Sequence, residues 1–591
     1  MKTIQDVIRR WAAVSPERTS LVSSQGSTLS YHELVQALEW LGATLLKLGL
    51  GNSPRLATVI PSGIVEAVTF LGVSCHAAAA PLSPGYGERE FQVLLGDLSP
   101  QALLLEDGFE TPARGVARAL DIPIIELPPD VRQWRPPRDA STHPEFPPSP
   151  EDTTLLLSTS GTTSRPKQVP LTHVNLMTSA KNVARSLQLG PQDQCLNPMP
   201  LFHIHGLVAG LLAPLIAGGS TIVASGVPAK GLLRWIDSGN PTWYTAVPTI
   251  HQAILAETRN RSGAPLHRLR FIRSSSAPLP TLLQAEMETV FDVPVIEAYG
   301  MTEASHQIAS NPLPPDPRKP GSVGRALGVK VAVLAPDGNL QPANAEGGIA
   351  IRGETVTSGY EGNAEANASA FIDGWFRTGD AGYIDDDGYI YLTGRMKEMI
   401  NRGGEKIAPR EIDEALSEHE AVAEAIAFAI PHRTLGEDVA AAVVLRYGMD
   451  VSEATLRAYL LDKLASFKVP SRFVFVDQLP TGPTGKPQRI GLANTLATKL
   501  AEPFRPPTTP VEITLAHIWQ EILDVDRIGA ADNFFMLGGE SLSTARVLAR
   551  VNRRFGVHLT LRQAFESPKL EDLAVQVELR ILDSIEEQTN D

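Results

Sequence analysis

Leu157-Ser158-Thr159-Ser160-Gly161-Thr162-Thr163-Ser164-Arg165-Pro166-Lys167 follows Leu155 and Leu156, and the apolar run Leu155–Leu157 predicts a short buried strand emptying into a hydroxyl-rich turn. One glycine, several hydroxyls and one lysine are what a triphosphate requires: backbone donors on a flexible turn and a point positive charge. An ordinary Ser/Thr surface loop has the same composition, so the stretch alone leaves both readings open. A Walker A loop fits less well, because it needs a second glycine directly before Lys and Ser/Thr.

Outward from this loop, the 591 residues exceed what one hydrophobic core organises, and about two to four folding units are expected. Hydrophobic residues at 43% and charged residues at 20% are ordinary for a globular chain. A formal charge of -14 argues against a nucleic-acid or anionic-membrane partner, which would call for clustered Lys and Arg. Cys75 and Cys195 stand far apart, without ligand-spaced neighbours for zinc and without a disulfide framework, so a reducing cytoplasm is the expected location. Met1–Trp11 reads as the start of an amphipathic helix rather than a signal peptide, and no uncharged apolar run is long enough for a membrane span. Gln588-Thr589-Asn590-Asp591 is not a peroxisomal address.

Short β-like runs such as Arg55–Ile60 and Ala102–Leu105 alternate with helical periodicity, predicting parallel sheets covered by helices. A proline-crowded connection from Trp134 to Pro150 leads into the loop. Beyond it, Val247–Thr249, Phe271–Ser276 and Val295–Gly300 each read as a strand end running into a small-residue turn, where α/β ligands gather. Four prolines between Ala501 and Pro510 predict a semi-rigid linker. The module after it carries a helix over Glu512–Leu523, another through Leu542, Ala545, Leu548, Val551 and Phe555, and a last helix opened by Ser567-Pro568.

In order along the chain, the loop at Thr159–Lys167, Tyr299-Gly300-Met301-Thr302-Glu303, Thr378-Gly379-Asp380, Gly394-Arg395-Met396-Lys397-Glu398 and Pro483-Thr484-Gly485-Lys486 resemble the motifs of adenylate-forming enzymes. That superfamily includes acyl-CoA synthetases, luciferases and the adenylation domains of nonribosomal peptide synthetases. The tail resembles a phosphopantetheine carrier protein, with Leu537-Gly538-Gly539-Glu540-Ser541 as the attachment turn. The resemblance implies an α/β large subdomain at 1–394, a small mobile α+β subdomain at 395–497, a Pro-rich linker at 498–510, an all-α four-helix carrier at 511–580 and a tail at 581–591.

A carboxylate is a poor acylating agent because its leaving group would be oxide. Attack on the α-phosphorus of ATP makes AMP the leaving group, and bringing two anions together is chiefly a matter of charge neutralisation and alignment. By resemblance, Lys486 bridges carboxylate and α-phosphate, Thr159, Ser160, Gly161, Thr162, Thr163 and Lys167 hold the β/γ-phosphates, and Thr302 and Glu303 serve the catalytic centre, with Glu303 on Mg2+. Ser276, Ala277, Glu297, Ala298, Tyr299, Gly300 and Met301 surround the nucleotide, with Tyr299 on adenine, while Asp380 and Arg395 take the ribose. Lys397 marks the hinge whose rotation brings Gly403 and Gly404 to the thiol, and Ser541 carries the phosphopantetheine. Taken singly, Glu303 also reads as a helix N-terminal glutamate, Tyr299 as core, Lys486 as a surface lysine and Ser541 as an N-cap.

The acid is read from the pocket walls. Adenylation domains for α-amino acids place an Asp after the Phe of a Phe-Asp-x-Ser motif, but here the segment is Leu201-Phe202-His203-Ile204-His205-Gly206, with no carboxylate for an ammonium. Together with Trp243–Thr249, Ser274–Ala277 and Ala304–His306 it offers hydroxyls and imidazoles, suiting a small polar acid better than a fatty-acyl chain. These walls and Ser164 most resemble oxalate–CoA ligases of plants and fungi, which makes His203, His205, Ser274 and His306 the candidate substrate residues. Each of these histidines, His203 in particular, also reads as structural or gating. Gln168, Gly482, Pro487 and the fused carrier depart from that subgroup.

The expectation is thus an ATP-dependent ligase that adenylates a small polar or dicarboxylic acid and loads it on its own Ser541-phosphopantetheine, where tethering makes transfer intramolecular. It implies a phosphopantetheinyl transferase and a downstream condensing, reducing or transferase enzyme as partners. The alternatives are release of free acyl-CoA, with CoA as acceptor, and a noncatalytic carrier scaffold.

Overall fold

The computed structural model describes residues 2–50, 54–61, 63–135, 148–159, 166–259, 267–432, 435–480, 489–500, 504–523, 525–535, 537, 539 and 541–589. The chain folds as two compact units, Met1–Leu392 and Thr393–Asp591.

In the first unit the Leu155–Leu157 run is a strand, Thr153–Thr159, whose leucines are all buried, as expected when a sheet is covered on both faces. It belongs to a six-stranded sheet ordered Ile124–Leu127, Ala102–Glu106, Arg55–Val59, Ala78–Pro81, Thr153–Thr159, Lys167–Thr172. Pairing is parallel except at the last strand, which runs antiparallel to Thr153–Thr159 and sets Thr159 opposite Lys167. The loop positions Ser160, Gly161, Thr162, Thr163 and Ser164 lie outside the described residues.

A nine-stranded sheet runs Arg325–Ala326, His306–Ser310, Val295–Met301, Phe271–Ser275, Trp243–Ala246, Gln194–Asn197, Ser220–Val223, Thr19–Ser23, Thr28–Ser30. Its inner strands are parallel and its edges antiparallel, so the carboxyl ends of Trp243–Ala246, Phe271–Ser275 and Val295–Met301 come together at one rim. Helices pack on both faces: Trp243 and Phe271 join one apolar cluster, and Tyr244 and Ile272 the cluster on the opposite face. A third, antiparallel sheet through Lys330–Leu334, Gly347–Arg352, Trp375–Ile384 and Phe371–Ile372 makes the architecture mixed rather than wholly parallel.

The second unit contains the antiparallel pair Val422–His432 and Gly436–Leu445, the parallel strand Arg472–Phe475 and the hairpin Ile400–Arg402/Glu405–Ile407. Helices Pro409–Ser417 and Glu453–Leu461 pack on that sheet through Ile412, Leu416, Leu456 and Leu460. A helical bundle follows, with helices Pro510–Leu523, Ser541–Phe555, Leu561–Glu566 and Leu570–Thr589 around Leu515, Trp519, Phe534, Val551 and Leu573. Ser567 does not open the last helix. A capping box between Thr560 and Gln563 nucleates the short helix Leu561–Glu566, Ser567 closes it, and Pro568 gives its carbonyl to Phe534 N–H before the last helix starts at Leu570. Among the described residues, no helix is long and apolar enough to cross a membrane.

Candidate functional site

Glycine is required where the strands Val295–Met301 and His306–Ser310 meet. A Cβ on Gly300 would stand 1.7 Å from the His306 carbonyl oxygen, and the ladder shifts register between Tyr299 and Gly300. The connecting turn Thr302–Ala304 is a single 3-10 turn, followed by Ser305 and His306 at φ of 50° and 92°. Residues outside the hairpin hold this left-handed conformation: Thr357 N–H donates to Glu303 O at 2.8 Å and Ser305 Oγ to Thr355 O at 2.9 Å.

The same bracing segment carries Tyr360. Its hydroxyl donates to Glu303 Oε1 at 2.9 Å, and Lys167 Nζ lies 4.4 Å from its ring centroid. Lys167, the first residue of the strand Lys167–Thr172, and Glu303 are thereby gathered around one tyrosine. Glu303 is buried in a 3-10 turn rather than at the start of an α-helix, and its Oε2 accepts no hydrogen bond from the described residues. Among those residues no three metal-ligating side chains converge. With Oε1 taken by Tyr360 and Oε2 open among the described residues, the Glu303 carboxylate is compatible with a magnesium ion that brings most of its oxygen ligands with a triphosphate.

Tyr299 donates its hydroxyl to Asp380 Oδ2, joining the residues assigned to adenine and ribose. Asp380 is buried, and its backbone N–H donates to Thr378 Oγ1 at 3.1 Å, which braces the irregular Thr378-Gly379-Asp380 segment of the strand Trp375–Ile384, where Gly379 stands at φ 79°. Glu297 is buried too, with Oε1 accepting Leu279 N–H at 3.1 Å, so its carboxylate pins the turn carrying Ser276 and Ala277. Ser275 Oγ donates to Ala298 O at 2.9 Å, locking the two strand ends together. Met301 pairs with His306 across the hairpin.

His205 opens a π helix, His205–Leu212, whose close packing depends on glycine: a Cβ on Gly206 would lie 2.3 Å from Pro200 O, and one on Gly210 2.2 Å from Asn197 Cγ. Its imidazole stacks on that of His306, with centroids 4.9 Å apart and planes at 16°. Nδ1 lies 3.0 Å from Ser276 Oγ and Nε2 2.7 Å from Thr245 Oγ1. His203 is half-buried in the turn before this helix. Strand alternation puts Ser274 with Ile272 on the far face of Phe271–Ser275, where its Oγ is buried without a partner. Ser276, at φ 74°, is the serine that meets His205.

Arg273 is the site residue that motif reading missed. It is fully buried beneath His205, donating from Nη1 to Thr245 Oγ1 at 3.3 Å and from Nη2 to Gln307 Oε1 at 3.1 Å, with Nη1 3.4 Å from His205 Nε2. Nε has no partner, and no carboxylate faces the guanidinium among the described residues. Burial pulls its pKa down to about 9; Cys195, the one counter-charge that favours it, is a thiol that burial keeps protonated. The signal for Arg273 was an arginine inside the otherwise apolar run Phe271-Ile272-Arg273.

In the second unit Gly403 and Gly404 form the hairpin tip at φ of 60° and 102°, and Gly403 N–H donates to Leu435 O at 2.9 Å. Arg402 Nε binds the fully buried Asp438 at 2.6 Å. Lys397 and Arg395 are exposed in and beside the turn after the strand Ile390–Arg395, while Lys486 lies outside the described residues. The bundle touches this sheet: Asn533 Nδ2 donates to Ser471 O at 2.9 Å and His432 Nε2 to Phe535 O. A cavity of about 380 Å³ between them is lined by Gly403, Arg457, Phe467, Phe535 and Phe565. Ser541 is the first residue of the helix Ser541–Phe555, and a Cβ on Gly539 just before it would strike Phe534 at 2.2 Å.

Residues 8–361 match the AMP-binding enzyme family, 411–486 the AMP-binding enzyme C-terminal domain and 514–575 the phosphopantetheine attachment site. An oxalate–CoA ligase of Arabidopsis thaliana is 40% identical over 501 residues, covering 82% of this chain and 97% of that protein. A sulfoacetate–CoA ligase of Cupriavidus necator is 38% identical over 503 residues, covering 83% and 97%. The crystal structure of ATP-bound MatB from Rhodopseudomonas palustris superposes with a TM-score of 0.76 at 28% identity, covering 84% of this chain and all of that one.

Proposed function

Because the chain belongs to the AMP-binding enzyme family, whose members join an acid to a thiol through an acyl-adenylate, we propose that it activates a small dicarboxylic or similarly dianionic acid and loads it on phosphopantetheine at its own Ser541. The observation that carries the substrate class is the buried stack of His205 on His306, with no carboxylate on the Leu201–Gly206 segment to receive an ammonium group. Oxalate and sulfoacetate, for which two relatives are named, each bear a second anionic group. An α-amino acid is disfavoured on the same ground.

In this reading Lys167 and the phosphate loop hold the β/γ-phosphates, Glu303 holds magnesium, Asp380 and Arg395 take the ribose, and Lys486 draws the two anions together. Bound ATP supplies the activated phosphorus. The protein aligns the acid's carboxylate with it and keeps the developing charge neutralised. Rotation about Lys397 then exchanges Lys486 for the Gly403–Gly404 hairpin, and the carrier thiol displaces AMP. The phosphopantetheine attachment domain at 514–575 supports attachment on the chain itself, where tethering would raise the local thiol concentration. Release of free acyl-CoA is the second reading, favoured by the relatives named as CoA ligases.

ATP–pyrophosphate exchange with oxalate, malonate, sulfoacetate, glyoxylate, benzoate, a short fatty acid and alanine tests the activation step. Exchange is expected with the dianions, and Lys486→Ala should abolish it. Exchange confined to benzoate, fatty acid or alanine would overturn the substrate class.

A further inference from the structure

Donor and acceptor rules fix the direction of the hydrogen bonds beneath His205. A guanidinium only donates, so Thr245 Oγ1 accepts from Arg273 Nη1 at 3.3 Å. Arg273 Nη1, 3.4 Å from His205 Nε2, can only donate and so requires that nitrogen to be an acceptor, and the Thr245 hydroxyl, 2.7 Å from it, has its proton to give. His205 must therefore carry its proton on Nδ1 and donate it to Ser276 Oγ at 3.0 Å. Every bond in the chain Arg273, Thr245, His205, Ser276 points away from the buried cation.

Among the described residues the cation itself lacks a counter-charge. Gln307 contributes only its amide oxygen, and Nε of Arg273 is buried without an acceptor. An uncompensated buried charge is costly, and fixed protein groups that accept an anion nearby offset that cost when the anion arrives. We propose that Arg273, acting through Thr245, is a positioning residue that fixes His205 with its proton on Nδ1 and supplies the buried positive charge that a second anionic group on the acid answers. It rests on the reading of a dianionic acid given above, and adds which residue selects for the second charge.

The test compares kcat/KM in pyrophosphate exchange for oxalate and glyoxylate, nearly equal in size but differing by one negative charge, in the full chain and in Arg273→Met, Arg273→Lys and Thr245→Val. Arg273→Met is expected to lower the oxalate-to-glyoxylate ratio about 30-fold, mostly through KM, as for loss of one member of a desolvated charge pair. Arg273→Lys should restore part of the ratio, and Thr245→Val, which removes only the relaying hydroxyl at equal size, should lower it about tenfold. A thermal melt of each variant reports folding, and Thr245→Val carries the test if Arg273→Met does not fold. A ratio unchanged in both Arg273→Met and Thr245→Val, with the wild type still preferring oxalate, would overturn the role of Arg273 alone. A wild type with no preference for oxalate would overturn the dianion reading and this role with it.

Discussion

Lys167 Nζ sits 4.4 Å from the centroid of the Tyr360 ring, although the two residues come from separate segments of the first unit. The tyrosine hydroxyl continues the connection to Glu303 Oε1. The cation proposed to hold phosphates and the carboxylate proposed to hold magnesium are opposite charges that would otherwise attract each other directly. The ring holds the first by its face and the second by its edge, which keeps both available.

Tyr360→Phe should therefore separate the two roles. The ring stays beneath Lys167, while Glu303 loses one hydrogen bond of about 1 kcal/mol. The expected result is a KM for magnesium–ATP raised about fivefold with little change in the KM for the acid, measured by pyrophosphate exchange. Tyr360→Ala should do more, since the support for Lys167 goes as well. An unchanged KM for magnesium–ATP in both variants would contradict the arrangement.

Gly300→Ala should be far more damaging than an added methyl suggests, because its Cβ would lie 1.7 Å from His306 O, on a backbone rather than a movable side chain. Relief requires the Thr302–His306 turn to move, taking Glu303 and the His205–His306 stack with it. Adenylate formation is expected to fall at least about 100-fold, the scale of loss when a positioned group shifts by an ångström. Wild-type exchange rates in a folded Gly300→Ala protein would refute this account of the hairpin.

A pH-dependent term comes from Glu66. It is buried at the start of the helix Ile64–Ser74, where desolvation raises its carboxyl to about 8 against the partial help of the Gly63 and Leu201 amides. The folded chain keeps a proton that the unfolded chain releases near the ordinary value of 4.5, so stability declines as pH rises from about 4.5 to about 8 and recovers nothing above. Between pH 6 and pH 9 the loss is on the order of 2 to 3 kcal/mol. Glu66→Gln cannot ionise and should lose correspondingly less. Melting curves of both proteins at pH 6 and pH 9 check this, and parallel declines would exclude Glu66 as the source.

How far the sequence discloses this protein depends on the residue. Leu155–Leu157 announces its strand because a short apolar run that empties into a turn suits a strand covered on both faces. Glu303 and Asp380 stand out in the sequence because their motifs occur in order, and the fold sets them against Tyr360 and Tyr299. The hairpin geometry at Ser305 and His306 is not, since nothing local favours a left-handed histidine. It is imposed by Thr355 and Thr357, some fifty positions on. Arg273 is hidden for a similar reason: its partners Thr245 and Gln307 come from other strands of the same sheet, and only their alignment reveals a buried cation. The choice between Ser274 and Ser276 turns on strand alternation and on where the strand stops, which composition does not specify. The last helix shows a local signal being outcompeted, as the capping box at Thr560 claims Ser567 for a different helix.

Whether activation and carrier loading occur on one chain is decided by mass spectrometry of the protein after phosphopantetheinylation and incubation with ATP, magnesium and oxalate. The expected product is a Ser541 peptide carrying phosphopantetheine plus an oxalyl group, absent without ATP and absent in Lys486→Ala. A phosphopantetheinylated Ser541 peptide that stays unacylated, while oxalyl-CoA accumulates when CoA is added, would contradict loading on the same chain.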